Sequence, residues 1–240
     1  MGGAEQRNLA NRKSELMILA IETSTPVCSV ALQATAPGAW EKRIEGRGVH
    51  SERLFTFTDE LLDRAGVGVA DLDAILFSRG PGSYTGLRIG ASAIKGLLFG
   101  RKIPLFTFPT LFSFAAGLQL DSRPRNIFSV IDARRTHLYV QRFDWSGSEL
   151  KRSGDASVKE LTAIKDELTR DSVIVGTGWN RLNLDQESKI KTYGTETISA
   201  TNLISAWENS DLKPHFRKED PKSFDPDYLE IAQINNNIVR

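Results

Sequence analysis

Among the 240 residues, the run with the most chemical potential is Gly80-Pro-Gly-Ser-Tyr-Thr-Gly86. It lies between a short apolar run, Ala74 to Phe77, and a segment of helical composition from Leu87 to Phe99. Backbone N–H groups at the start of a helix attract anions, so phosphate binding is one reading. The known phosphate patterns do not fit it. No Lys-Ser or Lys-Thr follows Gly86, and Thr85 stands where G-x-G-x-x-G needs its last glycine. G-x-S-x-G is absent and no histidine is near in sequence, so Ser83 is not on a nucleophile elbow. The other reading is packing. Gly86 and Gly90 form G-x-x-x-G, with Ala93 and Ile94 one turn on, a spacing that gives a helix a flat face of small residues. That face admits close approach of the chain's own sheet or of a helix from another chain. Arg88, in the same segment, either pairs with a carboxylate or is solvated.

Two carboxylates, Glu22 and Asp132, follow apolar strand-like runs, where actin-like ATPases carry their phosphate-loop acids. Such loops need glycine to let the backbone approach phosphate. Here the turns read Glu22-Thr-Ser-Thr-Pro and Asp132-Ala-Arg-Arg, without glycine, so local turn chemistry is favoured. Gly176-Thr-Gly178 is a strand-end turn and a weak nucleotide signal. Glu22, Thr23, Asp132, Gly176 and Gly178 therefore stand as candidates for a vestigial nucleotide site. The histidines, His50, His137 and His215, are isolated, with no H-x-x-x-H or H-E-x-x-H spacing, and Cys28 is the single cysteine. No metal ligand set, catalytic residue or cofactor is expected. His50 reads as a local turn residue before a helix cap, His137 as a strand position, and Cys28 as an inert core thiol.

These residues hang on a legible series of elements. Met17 to Ile21 and Cys28 to Leu32 predict two strands joined by a polar turn, and Trp40 to Ile44 a third. Ser51 is placed to cap a helix to about Ala65, whose Leu54, Phe57, Leu61, Leu62 and Ala65 form one apolar stripe, with Gly66 as its stop. Ala74 to Phe77 predicts a buried parallel strand, and Leu87 to Phe99 a helix closed by Gly100. The order β-β-β-α-β-α is that of an α/β layer. Strands at Ile127 to Ile131 and His137 to Phe143 begin a second, similar unit, since Asp132 ends its strand as Glu22 does about 110 residues earlier. A helix near Val158 to Leu168, a strand at Val173 to Val175, and a helix near 198 to 208 follow. Trp179 reads as a packing anchor. The charged, proline-bearing stretch Pro214 to Asp227 reads as extended, and Tyr228 to Ile231 as a segment that packs back on a lobe.

Composition sets limits on partners. Lys and Arg number 31 against 30 Asp and Glu, a net charge of +1, which disfavours a broad basic face gripping nucleic acid alone. No apolar run approaches the ~20 residues of a membrane span. Residues 1–16 are polar and read as a disordered extension that is not a secretory signal, so a cytoplasmic location is expected. The expected divisions are 1–16, an N-terminal lobe at 17–110, a C-terminal lobe at 111–227, and a segment at 228–240 that packs back on the N-terminal lobe.

Five blocks resemble one family in order along the chain: Met17-Ile-Leu-Ala-Ile-Glu-Thr-Ser-Thr, His50-Ser-Glu, Ser78-Arg-Gly-Pro-Gly-Ser-Tyr-Thr-Gly-Leu-Arg-Ile-Gly, Ile131-Asp-Ala-Arg, and Val175-Gly-Thr-Gly-Trp. They look like the TsaB (YeaZ) family of tRNA threonylcarbamoyladenosine biosynthesis, with a fainter echo at Pro226-Asp-Tyr-Leu. The block around Gly80 is the specific one. The resemblance implies a two-lobed fold of the actin-like, sugar-kinase (ribonuclease H-like) type, built from duplicated β-β-β-α-β-α units. It implies a non-catalytic subunit supporting TsaD, the relative that carries an H-x-x-x-H metal pair and transfers threonylcarbamoyl to N6 of adenosine 37. It further implies TsaC or a relative as the source of the activated group, TsaE in the same assembly, tRNA met through the complex, and a homodimer that can form on a similar surface where TsaD is absent. The family's contact uses the N-terminal lobe helices, which places Leu54, Phe57, Leu61, Gly86, Arg88, Gly90, Ala93, Ile94 and Leu97 at the expected interface. A nucleotide-dependent or glycoprotease-like enzyme acting alone is the alternative.

Overall fold

A computed structural model describes residues 16–34, 38–120, 126–146, 149–185 and 188–229. Residues 1–15 of the polar N-terminal extension and the end of the C-terminal segment, from 230 on, lie outside the described residues.

The first apolar runs fold as expected into β1 (Ile18–Glu22) and β2 (Val27–Gln33), both wholly buried, followed by the edge strand β3 (Trp40–Glu45). Continuous burial explains why β1 and β2 read as apolar runs without alternation. Helix α1 (Val49–Ala65) starts two residues before the expected point. Gly48 in the left-handed region precedes it, and Ser51, expected as the cap, sits in its first turn and donates to the Gly48 carbonyl instead. Gly66 ends the helix at φ 65, a backbone region open to glycine. β4 (Ala74–Ser78) pairs parallel with β1, and α2 (Tyr84–Leu98) begins three residues earlier than its pattern suggested, because the Ser83 hydroxyl accepts the Gly86 N–H as a side-chain cap.

β5 (Leu105–Phe108) and the short helix α3 (Thr110–Ala116) complete the first unit. The second unit comprises β6 (Asn126–Asp132), β7 (His137–Ser146), β8 (Glu149–Arg152), β9 (Ser157–Glu160), α4 (Leu161–Glu167), β10 (Ser172–Gly176) and β11 (Lys191–Tyr193). Val158 to Glu160 is therefore strand rather than helix: it pairs antiparallel with β7, and tertiary pairing overrides the local pattern. Helix α5 (Thr201–Glu208) and strand β12 (Arg217–Glu219) follow.

The two sheets repeat one plan. The first runs β12-β5-β4-β1-β2-β3 and the second β11-β10-β6-β7-β8. In each, the opening strand lies centrally, pairs antiparallel with the next, and pairs parallel with a later strand. This duplicated ribonuclease H-like unit is the two-lobed actin-like fold. The lobes are not divided cleanly by sequence: Arg217–Glu219, inside the stretch expected for the C-terminal lobe, returns to form the outer strand of the first sheet against β5. α3 and α5 share one core with both sheets. There Leu111, Phe112 and Phe114 of α3 meet Ile18, Ala20 and Leu76 of the first sheet and Ile127 and Phe143 of the second. Burying each of the large side chains contributes about 1.5–3 kcal/mol. Among the described residues, no helix is long and apolar enough to cross a membrane.

Candidate functional site

The glycine run connects β4 to α2 and is wedged among three other segments. Gly80 N–H donates to the Thr110 hydroxyl at 3.0 Å, Thr110 N–H donates back to the Gly80 carbonyl at 3.0 Å, and Ser83 N–H donates to the Ser24 carbonyl at 2.6 Å. The glycines are needed for close approach. A Cβ on Gly82 would stand 2.7 Å from the Ser24 Cβ, and one on Gly90 would stand 2.6 Å from the Phe77 ring. A Cβ on Gly86 would strike the Thr23 carbonyl. The G-x-x-x-G face thus packs on the chain's own first turn and sheet.

The same holds for most residues expected at an interface. Leu54, Phe57, Leu61, Gly86, Gly90, Ala93 and Ile94 are all buried within the first lobe, and of these seven Ala93 alone lines the groove between α1 and α2. The physical reason is that the apolar stripe of each helix is what holds it to its own sheet. Arg88 is exposed and Leu97 half-buried. The surface these helices do present lies beside the stripes. Ser51 and Phe55 of α1 face Tyr84, Arg88, Ile89 and Ser92 of α2 across a groove of about 550 Å³. Phe55 is 49% exposed and Tyr84 54%, unusual for rings of that size. The Arg88 guanidinium lies 4.3 Å from the Tyr84 ring centroid, a cation–π contact. Phe55 was readable in sequence as an aromatic residue just off the stripe.

A second concavity, of about 740 Å³, lies between the lobes. Ser24, Thr25 and Gly82 to Thr85 line it from one side, and Asp132, Arg134, Thr177, Gly178 and Arg181 from the other. Of the five nucleotide-site candidates, only Asp132 and Gly178 line this cleft. Asp132 accepts the Arg134 N–H at 2.7 Å and is ion-paired with Arg181, and its own N–H donates to the Thr177 hydroxyl at 3.1 Å. Glu22 is fully buried beneath the first turn, where its Oε1 accepts the Ser24 N–H at 2.7 Å and the Ser24 hydroxyl at 2.5 Å. Burial pushes its carboxyl above the ordinary 4.5, against the lowering effect of the Ser24 hydrogen bonds. Thr23 is buried, and a Cβ on Gly176 would collide with the Val130 carbonyl. A nucleotide triphosphate with its cation needs carboxylates free to face it. One of these is buried and the other is committed to an arginine, so the residues present do not fit that group.

His50 lies inside α1 rather than ahead of its cap, and is buried with Nε2 3.2 Å from the Val27 carbonyl. Burial lowers its pKa from 6.5, partly countered by hydrogen bonds to the backbone of Val27 and Thr25. It ties α1 to the β1–β2 turn. Cys28 is fully buried in β2, with its thiol pushed up to about 12 by burial and by Glu22. His137 Nε2 stands 3.9 Å from Glu160. Trp179 packs at the edge of the core of the second lobe. Among the described residues, no group of three His, Cys, Asp or Glu stands together.

Comparison with known proteins adds four likenesses. Residues 47–190 match the family model described as TsaD: tRNA N6-adenosine threonylcarbamoyltransferase. The tRNA threonylcarbamoyladenosine biosynthesis protein TsaB of Haemophilus influenzae is 32% identical over 179 residues, covering 68% of this chain and 73% of that one. The protein of the same name from Escherichia coli is 30% identical over 170 residues, covering 68% and 72%. The solved structure of YeaZ from Pseudomonas aeruginosa superposes with a TM-score of 0.74 at 27% identity, covering 90% of this chain and all of that one.

Proposed function

The chain belongs to the TsaB (YeaZ) family of tRNA threonylcarbamoyladenosine biosynthesis proteins, and from that premise we propose that it is the non-catalytic partner of a TsaD-type threonylcarbamoyltransferase subunit. The observation that carries this reading is the groove between α1 and α2, rimmed by the exposed rings of Phe55 and Tyr84 with Arg88 beside them. Aromatic residues and arginine dominate the binding energy of protein interfaces. The rigid lobe beneath, packed through Gly86 and Gly90, holds the rim in place while leaving its outer surface free. In this reading the buried stripe residues Leu54, Phe57, Leu61 and Ile94 support the face from below, Ala93 lines the groove itself, and Arg88 and Leu97 belong to the surface.

The buried carboxylate of Glu22 and the arginine-paired Asp132 of the interlobe cleft fit a subunit that leaves the chemistry to its partner. TsaE joins the same assembly, tRNA is met through the complex in the cytoplasm, and the same face serves a homodimer where TsaD is absent. The test is co-purification with the TsaD-type subunit of the same organism, followed by tRNA modification with and without this chain. Phe55→Glu and Ile89→Glu, placed at an apolar rim, are expected to abolish the complex and the modification that depends on it. A normal complex with both variants would move the contact elsewhere.

A further inference from the structure

Beyond β12 the chain continues along the first lobe. After β12, Asp220 turns the chain, accepting the Lys222 N–H on its side chain at 3.1 Å and the Phe224 N–H on its carbonyl at 2.8 Å. Phe224 is then driven into the first lobe, edge-on to Phe77 with ring centroids 5.9 Å apart. Three residues on, Asp227 is held twice by Arg79. The Arg79 Nε donates to the Asp227 carboxylate at 2.7 Å, and the Asp227 N–H donates to the Arg79 carbonyl at 2.7 Å. The Arg79 side chain is 8% exposed. The Asp227 carbonyl occupies the space where a side chain on Gly80 would project, which makes Gly80 part of the seat. The next residue, Tyr228, places its ring 5.0 Å from the Tyr84 ring, which also carries Arg88.

We infer that Arg79 and Asp227 form a latch that positions the Tyr84–Arg88 corner of the docking groove through Tyr228. Tyr84 is the first residue of α2 and is half-exposed, so its ring has solvent on one side and needs a neighbour to fix it. Tyr228 is that neighbour, and it reaches Tyr84 only because the residue before it is anchored at Arg79. A ring and guanidinium already ordered in the free subunit cost less to immobilise on binding. Asp227 and Tyr228 are thus positioning residues, and the end of the described chain is a working part of the face. This rests on the docking reading given above.

The test measures affinity of the full-length chain for the TsaD-type subunit by surface plasmon resonance. Asp227→Asn and Tyr228→Ala are expected to weaken binding about three- to tenfold, the effect of one unfixed side chain, and Tyr228→Phe, which keeps the ring but loses the hydroxyl that interacts with Arg88, by less than Tyr228→Ala. Asp227→Asn combined with Tyr228→Ala should be no weaker than Tyr228→Ala alone, because Asp227 acts through Tyr228, which meets both the Tyr84 ring and Arg88; a merely structural role would add the two losses. Additive losses, or parental affinity in both Asp227→Asn and Tyr228→Ala while Phe55→Glu abolishes binding, would overturn the latch and leave the docking face standing. If Phe55→Glu also binds normally, the docking face itself fails and the latch with it. Tyr228→Ala, on the surface side of the anchor, keeps the inference testable should Asp227→Asn fold poorly.

Discussion

Gly90 of α2 abuts Phe77 of β4 so closely that a Cβ on the glycine would stand 2.6 Å from the ring. The helix therefore meets its sheet backbone to ring, and its small-residue face is an internal surface. Gly90→Ala gains about 1 kcal/mol of helix propensity but overpacks this contact, which costs about 1–3 kcal/mol. Thermal and urea unfolding should show a net loss of stability, whereas Ser92→Ala on the outward face should leave stability within about 0.5 kcal/mol. Unchanged stability in Gly90→Ala would mean that the contact yields.

Glu22 makes stability depend on pH in the direction opposite to most carboxylates. Its folded pKa is raised above 4.5 by burial, so the folded chain holds the proton more tightly than the unfolded chain. Its contribution is complete below pH 4.5 and is lost as pH rises through the folded value. Glu22→Gln keeps an oxygen for the Ser24 donors and removes the titration. Urea unfolding of both proteins from about pH 5 to 8 should show the variant gaining on the parent as pH rises. A constant difference across that range would refute a raised pKa.

His50 works the other way. Burial lowers its pKa below 6.5, so its contribution is present above pH 6.5 and is lost as pH falls through the folded value. The imidazole resonances of His50 in a proton NMR titration should reach their midpoint below 6.5, and His50→Gln should flatten the loss of stability on acidification. A midpoint at or above 6.5 would show that the ring is not held neutral.

Cys28 should be silent as a thiol. With its pKa near 12 and no exposed surface, it has neither the thiolate nor the access that alkylation requires. Modification by a thiol reagent at neutral pH should proceed at the rate of global opening and accelerate in denaturant in step with unfolding. Fast labelling of the native chain would place the thiol in a locally opening segment.

The strands that carry the two sheets were legible because they are buried on both faces: Ile18–Glu22, Ala74–Ser78 and Ser172–Gly176 all read as short apolar runs. The stripes of α1 and α2 located the buried faces correctly, and for that reason most of the residues they named lie behind the surface groove, with Arg88 and Ala93 on it. α3 escaped because Thr110 to Ala115 is buried all round and has no polar face to set a period. β12 escaped because Arg-Lys-Glu carries no apolar signal and is held by backbone pairing to β5. The Arg79–Asp227 pair joins residues 148 apart, a relation that local pattern does not contain.

β12 also bears on how the molecule is made. The first sheet receives its outermost strand from Arg217–Glu219, which leaves the ribosome after every strand of the second lobe. Until then β5 presents an open edge of unpaired N–H and C=O groups, the kind of template on which chains pair with one another. Vectorial synthesis thus delivers the N-terminal half first but closes it last, and a chain interrupted between Phe108 and Arg217 is left with that edge exposed.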